Sequence, residues 1–340
     1  MHAVMLDLIG LELTQEEKEL LKHPQVGGVI LFTRNYAAPE QLANLLQQIR
    51  QLKLAHLLIA VDHEGGRVQR FRQGFTELPA LGKIGQLYNT QPAQAKQLAD
   101  THAWLMAIEL RAMDIDFSFA PVLDLNKNIS QVIGDRAFGG NAEMISELGD
   151  IYMKGMQRAG MAAVAKHFPG HGSVAADSHV AIPVDPRAYE VIAQEDLIPF
   201  INLTKAGLAG IMPAHVIYSA ADAKPAGFSK FWLQTVLRER LQFKGAIFSD
   251  DLSMKGASQI GDMPERARVA FAAGCDMVLV CNDRTGAINV IEQLERDGFK
   301  SSSESQQCLH TMRGCNSLTR ADLINMPQWH AAVKALQVLN

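Results

Sequence analysis

Residues 245–282 read GAIFSDDLSMKGASQIGDMPERARVAFAAGCDMVLVCN, with two short apolar runs and a longer segment between them. The runs GAIFSDD (245–251) and DMVLVCN (276–282) do not alternate between apolar and polar residues, which is typical of strands buried on both faces. Residues 263–273 between them have the spacing of an amphipathic helix. The stretch therefore predicts a strand, a helix and a second strand parallel to the first.

The same unit recurs along the chain. The predicted strands lie in residues 4–10, 26–32, 56–62, 115–122, 162–168, 208–216, 245–251 and 276–282. The predicted helices lie in residues 14–23, 38–52, 92–112, 141–159, 189–206, 229–241, 263–273 and 284–296. Eight βα units in 340 residues favour an α/β fold with a single (β/α)₈ TIM barrel. A doubly wound open sheet is the alternative, but it usually has fewer strands, and no G-x-G-x-x-G follows the first strand.

The chain divides into a long and a short part. Residues 1–297 hold all eight units and are predicted to form the catalytic barrel. Residues 298–340 are polar and then weakly helical, and they are too few for a domain. We expect them to form a C-terminal tail that packs on the barrel and is not a separate domain.

Composition excludes several classes of protein. The chain has 32 basic and 36 acidic residues, and a net charge of −4 gives no footprint for nucleic acid or an anionic membrane. No apolar stretch approaches the roughly 18 residues of a membrane span. The N-terminus has no basic leader or cleavage site, and four cysteines fit a reducing compartment. We expect a cytoplasmic protein with no nucleic-acid or membrane partner.

Polar side chains follow six consecutive predicted strands. They are Asp62, His63, Glu64, Asp124, Lys166, His167, His215, Asp250, Asp251, Asn282 and Asp283. In (β/α)₈ barrels the active site lies at the carboxyl ends of the strands. One polar residue at a strand end is unremarkable because every strand must exit to water, but six such ends on one rim predict a polar pocket.

Two stretches of this rim carry candidate chemistry. The loop AKHFPGHGSVAADSH (165–179) contains Asp177 and His179, and a carboxylate so close to a histidine can orient the ring and raise its pKa. A loop histidine bonded to its own turn is the simpler interpretation of that pair. Asp250 follows an apolar strand and could be a nucleophile, a base, a metal ligand or a helix N-cap. The residues alone leave these alternatives open.

Five motifs together resemble glycoside hydrolase family 3. They are DHEGGRVQRF (62–71), MDIDFSFAPVLD (113–124), KHFPGHGSVAADSH (166–179), IMPAHVIY (211–218) and FSDDLSM (248–254). The resemblance covers roughly residues 1–295 and is strongest to the single-domain branch of cytoplasmic bacterial β-N-acetylglucosaminidases of peptidoglycan recycling. It implies a TIM barrel and a retaining β-N-acetylhexosaminidase.

The resemblance also implies residue roles. Asp250 corresponds to the nucleophile, and His179 corresponds to the proton donor and acceptor, with Asp177 as the partner that holds its ring. A histidine thus replaces the second carboxyl that most retaining glycosidases use. The substrate-binding positions correspond to Asp62, Arg70, Arg136, Lys166 and His167.

The implied substrate is a small sugar, N-acetylglucosamine β-1,4-linked to 1,6-anhydro-N-acetylmuramic acid in muropeptide fragments. No cofactor, no metal and no obligatory protein partner are implied.

The same residues are compatible with four other activities. A neutral histidine tolerates phosphate as the attacking group, so a β-N-acetylglucosaminide phosphorylase with the same site is one alternative. A Schiff-base lyase on Lys166 is a second alternative, because a lysine on a barrel strand can be a nucleophilic amine. A metal-dependent hydrolase is a third, although the chain has no H-E-x-x-H motif. A catalytically inactive sugar-binding protein is a fourth, and the presence of both Asp250 and His179 argues against it.

Overall fold

The fold is seen in a computed structural model that describes residues 3–52, 57–176, 182–315 and 318–339. Its centre is a sheet of eight parallel strands. The strands are β1 (Val4–Asp7), β2 (Val26–Leu31), β3 (Leu58–Val61), β4 (Phe117–Ser118), β5 (Val164–Phe168), β6 (Gly210–Pro213), β7 (Ala246–Asp251) and β8 (Met277–Val280). Each of the eight predicted apolar runs contains one of them.

The strands follow one another around a barrel. Their order in the sheet is β4-β3-β2-β1-β8-β7-β6-β5. The chain just after β4 completes the circle, because Val164 N donates to Ala120 O at 2.9 Å and Leu123 N donates to Lys166 O at 2.7 Å. The predicted (β/α)₈ barrel is confirmed, and the open doubly wound sheet is excluded.

Helices surround the barrel. They are α1 (Gln15–Lys22), α2 (Pro39–Gln51), α3 (Leu81–Tyr88), α4 (Pro92–Arg111), α5 (Ala142–Arg158), α6 (Tyr189–Gln194), α7 (Leu197–Lys205), the π-helix α8 (Phe231–Arg240), α9 (Met263–Ala273), α10 (Arg284–Arg296), α11 (Ser303–Thr311), α12 (Arg320–Ile324) and α13 (Pro327–Leu336). Short 3₁₀ turns occupy Thr33–Asn35, Gly134–Arg136, Ala226–Phe228, Lys255–Ile260 and Gln337–Leu339.

Two helical regions differ from the sequence-based expectation. The helix predicted over residues 189–206 is two helices, α6 and α7. The reason is Pro199, which has no N–H and would clash with the carbonyl four residues earlier in a continuous helix. The break places Pro199 in the first turn of α7, where a proline is tolerated. Helix α3 was not predicted, and its eight residues extend the connection between β3 and α4.

A small hairpin follows β3. Residues His63–Gly65 pair antiparallel with Val68–Gln69. Gly65 and Gly66 make the turn with φ values of 100° and 55°, a region that residues with a Cβ rarely adopt. The hairpin brings Arg70 back over the carboxyl end of β3, whereas the sequence pattern predicted only the end of a strand.

Aromatic rings fill the inside of the barrel. Phe117 and Phe119 come from β4 and the residues just after it, and Phe248 comes from β7 on another wall of the barrel. The centroids of the three rings lie 5.1 to 5.6 Å apart. All three side chains are fully buried. Phe248 precedes Asp250 by two residues on β7, so this aromatic layer lies toward the amino-terminal side of the polar rim.

The C-terminal tail packs on the outside of the barrel. Leu309, Met312, Leu323 and Leu336 are buried in the same hydrophobic core as the barrel residues. We retain as a proposal that residues 298–340 are not a separate domain. Within the described ranges, none of the helices is both long and apolar enough to cross a membrane.

Candidate active site

A cavity of about 510 Å³ opens at the carboxyl ends of the strands. Its wall includes six of the eight residues to which the family resemblance assigned a role. They are Asp62, Arg70, Arg136, Lys166, His167 and Asp250. These residues are up to 188 positions apart in the sequence, from Asp62 to Asp250, and the barrel brings them to one pocket. Asp177 and His179 lie outside the described residues.

Five charged side chains form a network of ion pairs at one side of the cavity. Lys166 Nζ lies 2.7 Å from Asp62 Oδ1 and 2.7 Å from Glu64 Oε1. Arg136 binds Glu64 with two hydrogen bonds of 2.8 and 2.9 Å. Arg70 Nη2 lies 3.4 Å from Asp62 Oδ2. Each cation is thus held by a carboxylate before any ligand enters, which fixes its direction.

The charges of this network stabilise each other. Burial opposes ionisation of Glu64, but the nearby Arg136 guanidinium and Lys166 ammonium outweigh it and hold the pKa of this carboxyl well below its usual range. Burial likewise opposes ionisation of Asp62, and Lys166 and Arg70 together lower the pKa of Asp62. Both carboxyls are therefore anionic at neutral pH, and Asp62, which lines the cavity, can accept hydrogen bonds from a ligand only with the lone pairs that the cations leave.

Asp124 orients the ring of His167. The Nδ1 atom of His167 lies 2.7 Å from Asp124 Oδ2, and the backbone N–H groups of His167 and His171 also donate to the Asp124 carboxylate. Burial opposes the charge on Asp124, yet the His167 imidazole beside it lowers the pKa of that carboxyl. Because Nδ1 is occupied, His167 has Nε2 left for a ligand in the cavity.

The two adjacent aspartates at the end of β7 have different surroundings. Asp250 lines the cavity, and its Oδ1 accepts a bond of 2.8 Å from Asp251 N. The carboxylate of Asp251 instead accepts from Ser253 N, Ser253 Oγ and Cys281 N. Burial raises the pKa of Asp251 to about 6. Asp251 thus holds the loop after β7, whereas the carboxylate of Asp250 is available to a ligand in the cavity.

His215 contacts the backbone at the same end of β7. Its Nε2 atom lies 2.9 Å from Asp251 O, and its ring stacks on Phe228 with centroids 5.3 Å apart. Burial lowers the pKa of His215, so the ring is neutral at physiological pH. A structural histidine therefore explains this residue better than a pocket ligand.

The Schiff-base lyase loses support in this geometry. A Schiff base on Lys166 needs a free amine lone pair, but the Lys166 nitrogen lies between two carboxylates, 2.7 Å from each. Within the described part of the chain there is no group of three or more His, Cys, Asp or Glu that could hold a metal ion.

Sequence reasoning named Glu64 and Asp124 as polar residues at strand ends but gave them no role. Glu64 bridges Lys166 and Arg136, and Asp124 holds His167. Both residues lie within motifs that carried the family resemblance, DHEGGRVQRF and MDIDFSFAPVLD. That membership was the available signal, since a buried carboxylate in a polar motif needs a cationic or donor partner.

A family model described as the glycosyl hydrolase family 3 N terminal domain matches residues 3–308. The chain belongs to glycosyl hydrolase family 3. The resemblance found in the sequence is thereby confirmed.

Relatives of this family 3 enzyme have the same size and fold. A beta-hexosaminidase of Thioalkalivibrio sulfidiphilus is 52% identical over 337 residues, which cover 99% of this chain and 96% of that protein. A beta-hexosaminidase of Idiomarina loihiensis is 51% identical, covering 99% of this chain and 100% of that protein. Native NagZ from Neisseria gonorrhoeae superposes with a TM-score of 0.91 at 43% identity, covering 99% of this chain and 97% of that chain. The family 3 enzyme is a glycoside hydrolase of the β-N-acetylhexosaminidase class.

Proposed function

We propose that this family 3 enzyme is a retaining exo-β-N-acetylglucosaminidase of cell-wall recycling in the cytoplasm. Its substrate is a muropeptide fragment in which N-acetylglucosamine is β-1,4-linked to 1,6-anhydro-N-acetylmuramic acid. The observation that carries the proposal is the position of Asp250, a carboxylate on the wall of a cavity that also presents Lys166, Arg136 and Arg70. Fixed donors and a carboxylate on the cavity wall are what a glycosyl-enzyme mechanism requires.

Two related structures support the choice of sugar. One NagZ from Neisseria gonorrhoeae is described in complex with N-trifluoroacetyl-D-glucosamine, and it is 43% identical to this chain with a TM-score of 0.91. A Paenibacillus protein described as a family 3 beta-N-acetylglucosaminidase is 32% identical with a TM-score of 0.88. The muropeptide aglycone rests on the sequence resemblance.

The charged wall would hold the terminal sugar. Asp62 accepts hydrogen bonds from sugar hydroxyls, and Lys166, Arg70 and Arg136 donate to hydroxyls or to the acetamido carbonyl. His167 contributes its Nε2 atom. These contacts strengthen when the ring flattens toward an oxocarbenium ion, and their fixed directions avoid reorganisation during the reaction.

In the first step Asp250 attacks the anomeric carbon. A bond forms between an Asp250 carboxylate oxygen and that carbon, and the bond to the glycosidic oxygen breaks. His179, in its protonated form, transfers a proton to the departing oxygen, and Asp177 stabilises the imidazolium until then. The products are a glycosyl ester on Asp250, the free aglycone and a neutral His179.

In the second step water replaces the ester. Neutral His179 takes a proton from the water while the oxygen attacks the anomeric carbon, and the ester bond to Asp250 breaks. The Asp250 carboxylate and the protonated His179 are restored, and β-N-acetylglucosamine is released. Two inversions at one carbon give net retention.

The test is turnover of p-nitrophenyl N-acetyl-β-D-glucosaminide in matched buffers with and without phosphate, with the sugar product identified by proton NMR. We expect free sugar in both buffers, released first as the β-anomer. Sugar 1-phosphate, formed only when phosphate is present, would make the protein a phosphorylase. Release of the α-anomer would exclude the covalent mechanism. Incubation with the anhydro-muropeptide, followed by mass spectrometry, tests the aglycone.

A further inference from the structure

Helix α13 of the C-terminal tail contacts the barrel through a buried carboxylate. Trp329 Nε1 donates to Glu109 Oε1 at 2.9 Å. Glu109 lies on α4 and is 2% exposed. A buried carboxylate needs several donors, and the tail supplies one of them.

Thr76, in the segment that follows the hairpin, makes two more hydrogen bonds to Glu109. Thr76 N donates to Glu109 Oε2 at 3.0 Å, and Thr76 Oγ1 donates to Glu109 Oε1 at 2.6 Å. Glu109 therefore joins the tail to the segment 73–79, which lies directly behind the hairpin that follows β3.

The hairpin is held by this segment. Gln69 Nε2 donates to Thr76 O at 2.8 Å, and Leu78 N donates to Gln69 Oε1 at 3.0 Å. Gly66 N donates to Leu78 O at 2.8 Å. Gln69 immediately precedes Arg70 in the chain, so the position of Arg70 over the cavity depends on where segment 73–79 lies.

A second residue of the tail, Arg320, contacts the same segment. Arg320 of α12 donates from Nη2 to Gly74 O, and its guanidinium lies 5.3 Å from the centroid of the Phe75 ring. The tail thus holds segment 73–79 at two points, Thr76 through Glu109 and Gly74–Phe75 through Arg320.

We propose that the C-terminal tail positions the sugar-binding Arg70, through the hydrogen-bonded series Trp329, Glu109, Thr76 and Gln69. Trp329 and Glu109 are positioning residues and do not touch substrate. The proposal rests on the proposed function, because it assumes that Arg70 binds the sugar. It assigns a function to residues beyond 308, where the family model ends.

The experiment compares Trp329→Phe, which removes one N–H donor and keeps an aromatic ring, with the wild-type full chain. The readouts are kcat and KM on p-nitrophenyl N-acetyl-β-D-glucosaminide and the inhibition constant of N-acetylglucosamine. We expect KM and the inhibition constant to rise about three- to tenfold, with kcat within about twofold. Thr76→Val, which breaks the series away from the tail, should give the same pattern. Gln328→Ala, on the exposed side of α13, is the matched control and should change neither constant.

The decisive measurement is the same pair of constants in an Arg70→Lys background. If the tail acts through Arg70, Trp329→Phe adds nothing to the KM of Arg70→Lys, because the contact that Trp329 positions is already lost in that background. An effect that is fully additive, or a wild-type KM in Trp329→Phe, would overturn the proposal and leave the proposed function intact. A wild-type KM in Arg70→Lys alone would instead refute the sugar-binding role of Arg70, and the proposal with it. Melting temperatures of all variants confirm that folded proteins are compared.

Discussion

The Lys166 ammonium nitrogen lies 2.7 Å from Glu64 Oε1, and both residues are 2% exposed. Glu64 also accepts two hydrogen bonds from Arg136, so one buried carboxylate bridges two cations. Glu64→Gln keeps the shape and removes the charge. We expect it to lower the free energy of unfolding by about 3–5 kcal/mol, because the buried Arg136 loses the carboxylate that binds it and Lys166 loses one of its two carboxylate partners. Urea unfolding at pH 7 measures this. A loss no larger than that of an exposed variant such as Glu304→Gln would show that the network does not stabilise the fold.

The same carboxylate predicts a dependence of stability on pH. The pKa of Glu64 is lowered in the folded protein, because Arg136 and Lys166 outweigh the effect of burial. The unfolded chain therefore binds this proton first as the pH falls. The stabilisation is complete above about pH 5 and declines below it, by at most about 1.4 kcal/mol per pH unit for this group. Unfolding free energies at pH 7, 5 and 4 should fall less steeply in Glu64→Gln than in the wild type. Equal slopes would contradict the lowered pKa.

Asp250→Ala tests the proposed nucleophile. We expect turnover of aryl and natural substrates alike to fall at least about a thousandfold, because no ester can form. A steady-state assay measures the loss, and a melting temperature close to that of the wild type shows that the variant is folded. Substantial residual turnover would remove Asp250 from the nucleophile role.

His179→Ala tests the proposed acid and base. We expect kcat/KM, which reports the glycosylation step, to fall strongly for substrates with poor leaving groups and little for p-nitrophenyl glycosides, because p-nitrophenolate leaves without a proton. A series of aryl glycosides with rising leaving-group pKa measures this. The exposed His310 provides a control variant, His310→Ala, which should behave like the wild type. An equal loss across the series would give His179 a different role.

Much of the fold follows from local patterns. The apolar runs gave all eight strands, and the capping box of Thr14 and Glu17 marks the start of α1 in the structure. The break before Pro199 follows from the missing N–H, and it could have been predicted from that residue alone. Helix α3 was missed because its eight residues include two glycines, which are poor helix formers.

The contacts within the site could be predicted from the sequence only in part. Residue spacing predicted a polar rim, and the individual roles came from the family resemblance. The bridge that Glu64 makes between Lys166 and Arg136 joins positions 72 and 102 residues apart, and no local pattern encodes such a meeting. It depends on the turn at Gly65 and Gly66 and on the barrel register. The cis peptide bond between Lys166 and His167 was also beyond sequence patterns.

The aromatic layer of Phe117, Phe119 and Phe248 closes the barrel interior beneath the cavity, so the cavity opens to solvent at one end. A sugar chain cannot pass through the barrel, and under the proposed function only its terminal sugar enters. The aglycone must therefore, in that mechanism, leave through the same opening before water can reach the sugar that is still attached to Asp250. Under the proposed mechanism the sugar is the last to leave, and free N-acetylglucosamine should compete with incoming substrate for the emptied site.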